Sequence, residues 1–178
     1  MAKLVYGLQQ SLDGFIDHTN FDPTEKVFRY FIENTRQMAG SVYGRVMYDV
    51  MRYWDEDQPD WGDAEREYAA AWRDTPKWVV STTLDAADLG PNATLVSHDL
   101  DGFLRKLKRD HEGEIEIAGA RLANTATELG AIDEYRIYLQ PVVAGHGKPY
   151  FAGARPALRL DRTQDIGDGM ILLTYVPA

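Results

Sequence analysis

The rhythm of apolar and polar positions changes repeatedly along the chain. Lys3–Gln10 (KLVYGLQQ) opens on apolar, β-favouring residues and ends polar, which predicts a strand. Ser11-Leu12-Asp13-Gly14 signals a turn, Phe15–Asp17 briefly resumes extended chain, and His18–Pro23 is polar loop. Val27, Phe28, Phe31 and Ile32 then recur at helical spacing. With Thr24 as N-cap and Glu25 in the first turn, they predict a helix to about Gln37. Gly40–Tyr43 predicts a short buried strand, and Gly44-Arg45 leads into a short helix over Val46–Met51. Arg52–Trp61 is acidic, aromatic and Pro-containing, and predicts a surface loop; the Trp and Tyr side chains of the 53–72 region are read as covering the core, with a pocket lining as the alternative. The Ala- and Glu-rich run from Asp63 to Asp74 predicts a helix stopped by Pro76. Lys77–Ser81 and Thr94–Ser97 read as strands. Asp99 or Asp101 caps a helix through Arg109, with Phe103, Leu104 and Leu107 on one face. Glu114–Ala118 reads as a strand, Gly119 begins a helix ending near Gly130, and Asp133–Gln140 is a strong strand. Leu158–Gln164 and Met170–Val176 flank Asp165–Gly169 as a terminal hairpin.

Strand and helix alternate until that hairpin. The pattern predicts an α/β domain over residues 1–178, with a mostly parallel central sheet and an antiparallel C-terminal hairpin. No internal repeat or linker divides the 178 residues. With 19 Lys and Arg against 28 Asp and Glu, the net charge of −9 argues against wrapping nucleic acid or adhering to an anionic membrane. It leaves room for a local basic pocket that holds one phosphate. The chain has no cysteine, which excludes disulfides, thiol catalysis and cysteine-ligated metals. The four histidines show no ligand-like spacing, so no metal is expected. The N-terminus lacks a signal-peptide core, and the uncharged stretch Ile137–Gly147 is broken by Gln140, Pro141 and two glycines. The expected location is the cytoplasm.

In such a sheet, ligands bind outside the carboxyl ends of the strands. Three junctions there have suitable chemistry. At Gly44-Arg45-Val46-Met47, a glycine admits close backbone approach and an arginine offers a forked donor for phosphate; a plain turn with a solvated arginine is the competing reading. At Ser81-Thr82-Thr83, hydroxyls end a strand and can donate to phosphate, where a simple Ser/Thr turn or helix cap is the competing reading. At Gly119-Ala120-Arg121-Leu122, small residues open a helix and suit a pyrophosphate, or equally close helix–sheet packing. Asp13 and Asp17 lie close together after the first strand, where paired aspartates usually cap turns.

Four segments, LVYGLQQSLDGFID, VYGRVMYDVM, KWVVSTTL and EIAGARLANTATELGAIDEYRIYLQPVVAGHGKPYF, occur in this order from Lys3 to Phe151. Together they resemble the dihydrofolate reductase-like superfamily, and most closely its bacterial branch containing the riboflavin-biosynthesis reductase domain. The resemblance implies a three-layer reductase domain that uses NADPH. It implies that Gly44, Arg45, Val46 and Met47 hold a cofactor phosphate, Ser81 and Thr82 the adenosine-ribose side with its 2′-phosphate, and Gly119, Ala120, Arg121 and Leu122 the pyrophosphate. It places Leu12 and Gly14 beside the nicotinamide and makes Asp13 a candidate catalytic group facing the substrate. Two departures stand out. Ala118 precedes Gly119 where relatives carry paired glycines, and Val27 stands where true dihydrofolate reductases carry the substrate-gripping carboxylate, with Asp22 and Glu25 only nearby. The expected activity is therefore hydride transfer to a small heterocyclic or carbonyl substrate, as in 5-amino-6-(5-phosphoribosylamino)uracil reductase, and not dihydrofolate reduction. Arg36, Arg52 and Lys148 are candidates for a substrate-phosphate pocket. The resemblance also implies a homodimer, to which the aromatic 53–72 region could contribute. The alternative is a non-catalytic dimeric nucleotide-binding module of the same fold.

Overall fold

A computed structural model describes all residues 1–178, apart from the side chain of Asn20. The elements in chain order are β1 (Lys3–Gln10), α1 (Glu25–Gln37), β2 (Met38–Gly44), α2 (Arg45–Met51), α3 (Asp63–Asp74), β3 (Lys77–Val80), β4 (Ala93–Val96), α4 (Leu100–Asp110), β5 (Glu114–Ala118), α5 (Ala120–Glu128), β6 (Glu134–Leu139), β7 (Leu158–Gly167) and β8 (Met170–Pro177). Single 3₁₀ turns lie at His18–Asn20, Arg52–Asp55 and Ala86–Asp88.

The strands form one eight-stranded sheet in the order β4-β3-β2-β5-β1-β6-β8-β7. The first six in that order are mutually parallel, and β8 runs antiparallel to both β6 and β7. This is the dihydrofolate reductase-like α/β arrangement. Alternation along the strands divides the core between two faces. Leu4, Tyr6, Val42, Ile115, Ile117 and Tyr135 point to one face and pack against Leu104 and Leu107 of α4 and Leu122, Ala123 and Ala126 of α5. On the other face, Val27 of α1 packs with Tyr138, Ile166, Met170 and Leu172, while Tyr48 of α2 packs with Tyr43, Val79 and Ala118. Trp72 of α3 donates its indole N–H to the Tyr43 hydroxyl at 3.2 Å.

Local chemistry explains the element ends. Thr24 caps α1 by accepting from the Val27 amide, and Asp99 caps α4 by accepting from the Gly102 amide. Several element ends differ by a residue or more from the sequence reading. β2 begins at Met38, which pairs with Glu114 of β5 across a register irregularity that leaves Ala39 unpaired. β4 starts one residue earlier than expected. The terminal hairpin is tighter: Asp168 and Gly169 alone make the turn, at φ 54° and 82°, and pairing continues to Gly167 opposite Met170. The 52–61 segment is a surface loop whose tryptophans turn inward. Its Arg52–Asp55 turn lets Trp54 pack on Trp61 and Tyr68 with ring centroids at 5.0 and 4.7 Å, and Trp61 donates to the Tyr53 hydroxyl. Tyr53 alone of that cluster stays largely exposed.

Candidate functional site

All the parallel strands deliver their carboxyl ends to one edge of the sheet. Gly44 ends β2 and Gly119 follows β5, and the residues just before them, Tyr43 and Ala118, pair directly. A Cβ placed on Gly119 would stand 3.2 Å from Met47 Cβ and 3.9 Å from the Gly44 nitrogen, and one on Gly44 would stand 3.4 Å from Leu122 Cβ. Gly119 also holds φ at +108°, which side chains rarely adopt. The two glycines thus let the starts of α2 and α5 pack closely over neighbouring strands. Leu122 belongs to the core and Met47 to the packing beneath α2, so their side chains support this junction from behind. Val46 and Arg121 are exposed and Ala120 is half-buried at the helix starts.

Beside this cradle lies a cavity of about 470 Å³. Arg45, Ser81, Thr82 and Thr83 line one side, and Ser97, His98 and Asp99 the other. Arg45 is held in place by its Nε donating to Asp49 at 2.9 Å, while its Nη1 meets Thr83 Oγ1 at 3.4 Å. Ser81 is buried, and its hydroxyl accepts from the Thr83 and Leu84 amides at 3.2 and 3.1 Å. The plain Ser/Thr turn therefore describes Ser81, and Thr82 and Thr83 line the cavity as exposed residues. Ser97 and His98 share a hydrogen bond of 2.8 Å. Ser97 and His98 escaped the sequence reading. The strand-end argument applied to Ser81, Thr82 and Thr83 covers both, since Ser97-His98 follows β4 as Ser81 follows β3. A forked cation surrounded by hydroxyls suits the phosphate end of a nucleotide.

Asp13 does not fit its expected role. Its carboxylate accepts from the Ser11 hydroxyl at 2.6 Å and from the Ala144 and Gly145 amides at 3.0 and 2.7 Å. These bonds, the Ser11 hydroxyl foremost, lower its pKa to about 2, so it carries no proton at neutral pH. Asp17 accepts from the Lys148 amide in the same way. Both carboxylates clamp the 142–148 loop to the end of β1, together with the Leu12 amide bonded to the Val142 carbonyl. Leu12 is exposed at this rim, and Gly14 turns the chain at φ +96°. Of the three substrate-phosphate candidates, Arg36 pairs with Glu33 and Glu67 and Arg52 with Asp55, while Lys148 is exposed on the 142–148 loop.

Beneath α1, the position expected to carry a substrate-gripping acid is apolar, because Val27 is buried against Tyr138 and Met170. A carboxyl does occupy this face, but it comes from the sheet. Glu116 of β5 accepts from Ser41 at 3.2 Å, and burial pushes its pKa up to about 7. In the sequence it is only one polar residue in an alternating strand, so nothing there singled it out.

Comparison with known proteins gives a consistent result. A sequence profile of the RibD C-terminal domain matches residues 2–172. The chain is 27% identical over 183 residues to the uncharacterised protein YyaP of Bacillus subtilis (strain 168), covering 97% of this chain and 94% of that one. A crystal structure from Shewanella sp. PV-4, named for riboflavin biosynthesis, superposes with a TM-score of 0.75 at 23% identity, over 100% of this chain and 99% of that one. The Thermotoga maritima diaminohydroxyphosphoribosylaminopyrimidine deaminase/5-amino-6-(5-phosphoribosylamino)uracil reductase gives a TM-score of 0.70 at 14% identity. That match covers 99% of this chain but 57% of the Thermotoga chain.

Proposed function

This chain belongs to the RibD C-terminal domain family, a family of reductases, and on that premise we propose that it is an NADPH-dependent oxidoreductase that reduces a small heterocyclic or carbonyl substrate. The carrying observation is the placement of Arg45, Thr82 and Thr83 in one cavity beside the side-chain-free cradle of Gly44 and Gly119. The residues fit the cofactor. A Cβ at Gly119 would crowd Met47 and one at Gly44 would touch Leu122, so the glycines bring the two helix starts together, and the free backbone N–H groups at the start of α5 would receive a pyrophosphate. Arg45 and the threonine hydroxyls would hold the extra phosphate of the adenosine ribose.

When bound, the cofactor supplies a hydride to a polarised C=N or C=O carbon. The protein's own part is orientation and the exclusion of water. Arg45 is already fixed by Asp49, so little side-chain freedom is lost on meeting a phosphate. The clamp made by Asp13 and Asp17 fixes the loop that borders the end of β1. We further place the protein in the cytoplasm as a homodimer acting on a small molecule. No helix among the described residues is long and apolar enough to cross a membrane.

Paired titrations with NADPH and NADH test the reading. Tight NADPH and weak NADH binding is expected. Arg45→Ala should weaken NADPH by roughly 10- to 100-fold, the worth of a charge-assisted hydrogen bond, and NADH much less. Equal losses would move Arg45 to the pyrophosphate. Absence of binding to either dinucleotide would remove the reductase reading, and binding without oxidation across a substrate panel would favour a non-catalytic nucleotide-binding module.

A further inference from the structure

β3 and β4 run parallel and in register as far as Val80 opposite Val96, and the Ser81 amide still donates to the Val96 carbonyl at 3.0 Å. Beyond that bond the two chains border the cavity, with Thr82 and Thr83 on the side of Arg45 and Ser97, His98 and Asp99 on the other. Its volume of about 470 Å³ is that of a small-ligand pocket. Of the residues lining it, only Arg45, His98 and Asp99 have charged or titratable side chains.

One cation here meets two carboxylates. Asp49 of α2 takes the Arg45 Nε at 2.9 Å, and Asp99 stands in the opposite wall. The Asp99 carboxylate accepts from the Gly102 amide at 3.1 Å, so the positive end of α4 offsets part of its charge. Asp101 of α4 is drawn to Arg105 at 2.9 Å, and Asp85 and Asp88 of the β3–β4 connection do not line the cavity. The end of β3 brings only hydroxyls. A phosphomonoester carries nearly two negative charges at neutral pH, so Arg45 alone does not balance it. His98 is placed to supply the second cation. Its side chain is exposed, Nδ1 shares the 2.8 Å hydrogen bond with Ser97 Oγ, and among the described residues Nε2 has no partner. Histidine is the side chain that changes charge between pH 5 and 8.

We propose that His98 determines cofactor specificity: protonated, it joins Arg45 as the second cation on the 2′-phosphate of the adenosine ribose, and the choice of NADPH over NADH therefore depends on pH. The proposal rests on the reductase reading above. In the imidazolium both ring nitrogens donate, Nδ1–H to Ser97 Oγ and Nε2–H to a phosphate oxygen. NADH has a hydroxyl in place of that phosphate, so the charge of His98 gains it little. Neutral His98 leaves Arg45 and the threonine hydroxyls to hold the phosphate against Asp49 and Asp99.

The test is calorimetric titration of the full chain with NADPH and with NADH at pH 6.5, 7.5 and 8.5 and constant ionic strength. The ratio of NADPH to NADH affinity should fall about tenfold from pH 6.5 to pH 8.5, the worth of one charge-assisted hydrogen bond. Comparing two cofactors on one protein cancels any general effect of pH on the fold. His98→Gln keeps a donor without a charge, so its ratio should stay at the low wild-type value of pH 8.5. The phosphate's own second ionisation, near pH 6, tilts the ratio the other way. His98→Lys is a cation throughout this range, and its ratio should remain high at pH 8.5. The side chain is exposed, so neither replacement disturbs the core. NADPH binding with a pH-independent wild-type ratio, or with the same fall in His98→Gln, would overturn this proposal and leave the reductase reading in place. Failure of both dinucleotides to bind at every pH would overturn both.

Discussion

Replacing Glu116 by Gln should change how stability depends on pH, whatever the substrate. Burial lifts this carboxyl from 4.5 to about 7 in the folded protein. Between those values the folded state holds a proton that the unfolded chain has released, so stability falls as pH rises from 4.5 to 7. At about 1.36 kcal/mol for each pH unit of separation, the full effect is about 3 kcal/mol. Water reaching the half-buried side chain brings the expected loss to about 2 kcal/mol. Urea unfolding followed by the fluorescence of the four tryptophans, at intervals from pH 5 to pH 8, gives the measurement. The quantity of interest is the difference between wild type and Glu116→Gln at each pH. Histidines and surface carboxylates titrate in both proteins and cancel. The variant should gain on the wild type from pH 5 to about 7 and hold that gain to pH 8. A difference that stays constant from pH 5 to pH 8 would show that Glu116 ionises like a solvent-exposed carboxyl and would refute the burial argument.

Three further outcomes follow from the geometry. Gly119→Ala forces a side chain onto φ +108° and 3.2 Å from Met47 Cβ; a loss of about 1–3 kcal/mol and weaker NADPH binding are expected, and an unchanged melting temperature would count against the cradle. Lys77 is buried on β3, where desolvation lowers its pKa from 10.5 to about 8 and its ammonium donates to the Arg73 and Thr75 carbonyls. The unfolded chain holds the extra proton between those values, so wild-type stability should rise with pH from 8 to 10.5, a slope that Lys77→Met abolishes. Asp13→Ala should free the 142–148 loop, seen as faster amide exchange at Ala144 and Gly145. Because the folded pKa of Asp13 is depressed to about 2, its contribution is present above 3.8 and lost as pH falls toward 2; the variant should lack that acid-limb change.

The pattern of the chain determined most of the fold. Period-2 and period-3.6 runs, with Thr24 and Asp99 as caps, located the strands and helices because these signals are local. The same locality made the glycine junctions legible, since Gly44 and Gly119 each stand at a visible strand-to-helix change. Tertiary structure decided which junctions meet. Strand order places β2 beside β5 and β3 beside β4, so Arg45 and Thr83 share a cavity with Ser97 and His98, residues from distant parts of the chain. It also decided the roles of the carboxylates. Asp13 looked like a group aimed at a substrate until the returning 142–148 loop supplied the amides that consume it. Glu116 looked like an ordinary polar strand position until α1 and α3 covered its face. Desolvation and long-range hydrogen bonding depend on what the fold brings alongside a residue, and neither is written in the neighbours along the chain.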